Sequence, residues 1–117
     1  MHDFRKLQIW TEVVEVAALG YEETRSWPSD ERFGLTSQVR AAAVSVGSNI
    51  AEGAGRGGEK DMARFLRMAL GSLAVVSQLE MAARLGLLQL EPPMMMRIQS
   101  LRGRIRRLHN QLLGIDR

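Results

Sequence analysis

The sequence predicts an all-α fold, an up-and-down antiparallel four-helix bundle, and three observations carry that prediction. Four stretches repeat their apolar residues at steps of three and four, the period of a helix face. The breaks between them are short and rich in residues that end helices: Ser26-Trp27-Pro28-Ser29, Gly53 to Gly58, and the segment from Gly86 to Pro93. No segment alternates with period two over enough length to read as a strand. Amphipathic helices with short connections bury their stripes most simply by packing antiparallel around one core. At 117 residues the expectation is a single domain over residues 1–117.

The first helix is expected over residues 6–24. Leu7, Trp10, Val14, Ala17 and Tyr21 share one face, while Ile9, Val13 and Val16 form a second apolar edge. A helix with two apolar edges touches two neighbouring helices, or one neighbour and another subunit; in the second case the Ile9/Val13/Val16 edge forms contacts between subunits. The proline after Trp27 biases that residue away from helical dihedrals and closes the stretch.

The second helix is expected over residues 36–54 and is built of small residues: Ala41, Ala42, Ala43, Ser45, Gly47, Ser48 and Ala51. Small side chains admit a neighbouring backbone. Gly47 costs about 1 kcal/mol relative to alanine inside a helix, which close packing would offset. The third and longest helix, 59–85, opens with Glu59 and Asp61, acids that complement the helix dipole. Its stripe is Met62, Leu66, Ala69, Leu73, Val76, Leu79 and Ala83, and Gly86 sits where a C-terminal cap belongs. The fourth helix, 93–113, follows two prolines, which suit a first helical turn. Its apolar residues Met94, Ile98, Leu101, Ile105, Leu108 and Leu112 form a heptad stripe.

Composition narrows the function classes. There is no cysteine, so disulfides, thiolate catalysis and cysteine zinc sites are excluded, in keeping with a cytoplasmic protein. Neither a signal peptide nor a membrane-spanning helix is expected. The net charge of +3 is unevenly placed: residues 1–90 carry 10 Lys/Arg and 11 Asp/Glu, residues 91–117 carry 6 Arg and 2 acids. The basicity belongs to the fourth helix. It is either a solvated face or a surface for an anionic partner such as RNA or DNA.

Chemistry-bearing constellations are sparse. His2 and His109 are the two histidines, and no Glu-x-x-His pair of the kind that holds di-iron in bundles occurs, so no metal or other cofactor is expected. Glu12 and Glu15 lie one turn apart, as in magnesium-dependent nucleotide pyrophosphatases, but a second acidic pair on another helix is missing. Residues Gly53 to Gly58 lack the spacing and the Lys-Ser/Thr ending of a phosphate-binding loop. Ser45, Ser48 and Ser72 have no histidine placed to activate them. The chain is expected not to be an enzyme. One polar stripe remains on the second helix, Gln38, Ser45, Asn49, Glu52 and Arg56, at steps of 7, 4, 3 and 4. It is either a hydrogen-bond network tying helices or subunits together, or a binding surface.

These residues carry a resemblance. The run from Pro28 to Arg40, then Ala42-Ala43-Val44-Ser45-Val46, then Asn49-Ile50-Ala51-Glu52-Gly53 with Gly55-Arg56, resembles the four-helix bundle family first noted in intervening sequences of 23S rRNA genes. Phe65-Leu66, Ala69 to Leu73 and Leu85-Gly86 continue the match, which extends from about Phe4 to Leu88. The resemblance implies a ring-shaped homopentamer with no known enzymatic activity. The accessory proteins of diversity-generating retroelements share this fold; they are basic pentamers that bind nucleic acid and contact a reverse transcriptase. Two departures bear on this. Ala41 stands where the family has a second arginine, and Val75-Val76 follow Ala74 where an acid is common. These changes remove an ion pair between helices or subunits, or thin out a basic surface.

Two functions therefore stand side by side. In one, the chain is a nucleic-acid-associated homo-oligomer in which Arg97, Arg102, Arg104, Arg106 and Arg107, assisted by Arg40 and Arg56, neutralise phosphates. In the other, it is a structural or adaptor oligomer whose partner is a protein such as a reverse transcriptase, and the arginines are solubilising. A nucleotide-processing bundle using Glu12 and Glu15 is the third and weakest option.

Overall fold

The local signals above resolve into five helical segments. The computed structural model describes residues 8–31, 34–89 and 92–115. Helix α1 spans Trp10–Thr24, α2 Leu35–Arg56, α3 Glu59–Val76, α4 Gln78–Arg84 and α5 Pro92–Leu112, with a 3-10 turn at Ser29–Glu31 between α1 and α2. No strand occurs among the described residues. Lys6 and Leu7, where the first helix was expected to begin, lie outside them, as do Arg32, Phe33 and the side chains of Val75 and Met94.

The expected third helix is one rod with a break. Ser77 N bonds Ala74 O at 3.0 Å and Glu80 N bonds Ser77 O at 2.9 Å, so the ladder tightens to i→i−3 around Ser77. The Ser77 hydroxyl also donates to Ala74 O. A serine that offers its own backbone-directed bond competes with the regular ladder. At the end of α4, Gly86 takes φ 79° while Gly86 N bonds Ala83 O and Leu87 N bonds Ala82 O, the paired bonds of a glycine C-cap.

Consecutive rods are neighbours: α1 lies on α2, α2 most extensively on α3, α3 on α5, and α1 meets α5 to close the ring. The chain thus forms a bundle of four rods, 43 × 25 × 19 Å. The α1/α2 side and the α3/α5 side are opposite one another. Val39, Val46, Ile50, Leu66, Leu73, Leu79, Leu101 and Ile105 are fully buried along its axis. The stripes expected for the third and fourth helices are the core stripes: Met62 through Leu79 on one, Ile98, Leu101 and Ile105 on the other.

Two expectations are corrected. Ile9, Val13 and Val16 are not an outer edge for subunit contacts; they are 5%, 2% and 2% exposed and belong to the core of this chain. On the face expected to be buried, Val14 and Tyr21 are exposed, while Trp10 is partly buried against the core. The small residues of α2 decide the choice. A Cβ added to Gly47 would stand 3.1 Å from Val13 Cγ1, and one added to Gly20 would stand 3.1 Å from Ala43 Cβ, so α1 presses its Val13–Gly20 edge into α2. Second, the rod Glu59–Arg84 is long and apolar enough by length and mean hydropathy to cross a membrane, contrary to the expectation that none would be. Its apolar stripe, however, is the one packed against α2 and α5, as in the core helix of a bundle.

The second helix extends past its expected end to Arg56, and within it Gly53 faces α3. A Cβ there would approach Phe65 Cβ to 2.8 Å and the Met62 backbone to 3.3 Å. The helix stops at Gly57, where φ is 84°.

Candidate nucleic-acid interface

Arginine availability, and not arginine number, decides where this bundle can meet an anion. The seven arginines singled out from the sequence divide into two groups. Four of them are occupied within the chain. Arg97 pairs with Glu15 at 3.5 Å, and Arg104 pairs with Glu12, across the α1/α5 seam. Glu12 and Glu15 are therefore counter-ions to α5, each held by its own arginine. Among the described residues no group of three metal-ligating side chains occurs.

Arg40 donates from Nε to Thr24 Oγ1 at 2.7 Å, and its guanidinium lies 4.9 Å from the centre of the Tyr21 ring. Thr24 is buried and donates to Gly20 O at 2.8 Å. Arg40 is thus a clamp between α2 and the C-terminal end of α1. Arg56 pairs with Glu52 at 3.1 Å and lies 5.3 Å from the Phe65 ring centre, which Arg64 covers at 4.5 Å.

The polar stripe of α2 lies along the seam with α3 and α4. Asn49 Nδ2 donates to Ser45 O at 2.9 Å and Ser45 Oγ at 3.1 Å, and Ser72 Oγ donates to Ser45 Oγ at 2.9 Å. Gln78 Nε2 donates to Gln38 Oε1 at 2.8 Å. The Ser45, Asn49 and Ser72 bonds are part-buried and tie the two helices in register, while the Gln38–Gln78 bond is exposed.

Arg102, Arg106 and Arg107 make no ion pair among the described residues. Arg106 and Arg107 are exposed and Arg102 is half-buried. They lie on the α3-facing and outer sides of α5, away from the acids of α1. Arg106 and Arg107 line a groove of about 510 Å³ with Leu70, Gly103, His109 and Asn110. The last residues of this set were missed by sequence reasoning, which weighed His109 only as a metal ligand. The spacing of Gly103, Arg106, Arg107 and Asn110 at three and four residues was the signal that joins them on one helix face.

On the opposite side of the bundle, α1 and α2 enclose an apolar groove of about 340 Å³. Trp10, Val14, Ala17, Val44, Gly47 and Ala51 line it, with Val14 50% and Val44 46% exposed.

Residues 5–112 match the family model described as 23S rRNA-intervening sequence protein. No curated protein matches the chain.

Proposed function

Since the chain belongs to the 23S rRNA-intervening sequence protein family, we propose that it is a non-enzymatic assembly protein. In this reading it forms a homo-oligomer, a pentamer by family resemblance, and binds RNA or DNA through the α3/α5 side. The observation that carries the reading is the division of the arginines. Among the described residues, Arg102, Arg106 and Arg107 make no ion pair with an acid, while Arg97 and Arg104 are neutralised by α1. The unpaired charge faces away from the apolar α1/α2 groove, so one side can meet other copies while the other meets phosphates. Repetition around a ring multiplies a modest charge per subunit.

The test is a mobility-shift titration of the full chain at two salt concentrations, with mass measured by light scattering. Phosphate binding by arginine releases counterions, so affinity falls steeply as salt rises. Absence of binding at low salt sinks the nucleic-acid reading. A monomeric mass sinks the assembly.

The apolar groove supports a second reading, an adaptor whose partner is a protein such as a reverse transcriptase. In that case Val14 and Val44 are covered by the partner. A groove substitution such as Val44→Glu that leaves the mass of the pure protein unchanged favours this alternative over self-assembly.

A further inference from the structure

The nucleic-acid reading leaves open what form of nucleic acid the α3/α5 side takes, and the groove at its centre bears on that. A duplex offers a protein its phosphates and keeps its bases stacked inside, so it rewards a flat or convex basic surface. A single strand offers phosphates together with unstacked bases that gain from an apolar or aromatic platform. The groove between α3 and α5 has both parts. Its rim carries Arg106 and Arg107, exposed and without an ion pair among the described residues. Its walls include the Leu70 side chain and the His109 imidazole, both half-buried. At about 510 Å³ it falls within the range that holds small ligands.

The hydrogen-bonding groups point the same way. His109 Nδ1 lies 2.9 Å from Asn110 Oδ1, which leaves the Asn110 amide N–H groups to donate elsewhere. His109 Nε2 is buried with no partner. Gly103 keeps the space open: a Cβ there meets nothing within 4 Å.

We propose that this groove holds one unpaired nucleotide of a single strand in each subunit, its phosphate between Arg106 and Arg107 and its base against Leu70 and His109. The inference rests on the nucleic-acid reading above. Specificity for sequence is weak, because stacking accepts any base.

Gly103→Leu tests the groove without touching charge. The new side chain enters open space, so the helix is kept while the cavity is filled, and a melting temperature no lower than that of the parent shows that the variant is folded. The full chain is titrated, at one salt concentration, with a single strand of about 12 nucleotides and with a duplex of the same length. The expected result is tighter binding of the single strand. Gly103→Leu weakens that binding about tenfold and leaves the duplex unchanged. The double substitution Arg106→Ala, Arg107→Ala weakens both. Single-strand binding that Gly103→Leu leaves intact, or equal binding of strand and duplex, overturns the groove while the nucleic-acid reading stands. Binding of neither overturns both. Displacement of the strand by a nucleoside monophosphate at low excess overturns the assignment to a strand and gives the groove to a free nucleotide.

Discussion

The α1/α2 and α3/α5 sides of the bundle are made of similar amphipathic helices and expose opposite chemistry. On the first, α1 turns its Ile9/Val13/Val16 edge inward and leaves Val14 beside Val44 around an apolar groove. On the second, α5 turns its heptad stripe inward and leaves Arg106 and Arg107 at the rim of a groove walled in part by Leu70. The α1/α5 seam between them is where charge is consumed, by Glu12–Arg104 and Glu15–Arg97. The lesson is that a surface is what remains after the chain has partnered itself. Five arginines of the fourth helix stand out in the sequence, and two of them already have acids.

The largest effect expected separates two adjacent residues of α1. Val13→Asp places a carboxylate at a site 2% exposed and without an acidic or basic partner in the core. It should cost about 4 kcal/mol or more, as burial of an unpaired charge does, and abolish cooperative unfolding under mild denaturant. Val14→Asp, at a site 50% exposed, should change stability by about 0.5 kcal/mol or less while lowering the mass of the assembly. Equal destabilisation of the two variants in urea unfolding would break the assignment of faces.

A second comparison sets two glycines against each other. Gly53→Ala forces a methyl toward Phe65 and the Met62 backbone, and overpacking of this kind costs roughly 1–3 kcal/mol. Gly103→Ala meets open space in mid-helix and should stabilise the protein by about 0.5–1 kcal/mol. Thermal melting distinguishes the two directly. A neutral Gly53→Ala would mean that α2 and α3 separate more easily than their packing indicates.

The smallest effect sharpens the charge division. Replacing Arg106 and Arg107 together by alanine should lower the slope of log affinity against log salt by about 2, since each phosphate contact contributes about one. Arg97→Ala and Arg104→Ala should each change the slope less, because their charge is already met by Glu15 and Glu12. Those variants should instead lose roughly 0.2–1 kcal/mol of stability, the range for exposed pairs. Equal slopes for the two sets would erase the distinction between the seam and the groove.

Much of the fold was legible in the sequence. The stripe of α5 and that of the α3–α4 rod were read directly, because each has one apolar face and periodicity then leaves no choice of which side turns inward. Gly86 was readable as a cap because few residues other than glycine tolerate its backbone angle. The break at Ser77 was not legible, since a serine inside a strong helical pattern signals its competing hydrogen bond only weakly. The candidate site was half legible: its arginines were named, but Leu70 comes from another helix, and nothing local to α5 announces it.

By itself, then, the sequence determined the class of fold, the number of rods, the placement of the basic charge and the small-residue character of α2. Those follow from local periodicity and composition, which act within a turn or two of helix. The tertiary structure alone decided which of two apolar stripes on α1 is core and which arginines are free. Both depend on the helix facing across the bundle: on Gly47 and Ala43 receiving Val13 and Gly20, and on Glu12 reaching Arg104, 92 residues away in the chain. A stripe or a charge takes its meaning from the partner opposite it, and that partner is set only when the four rods close.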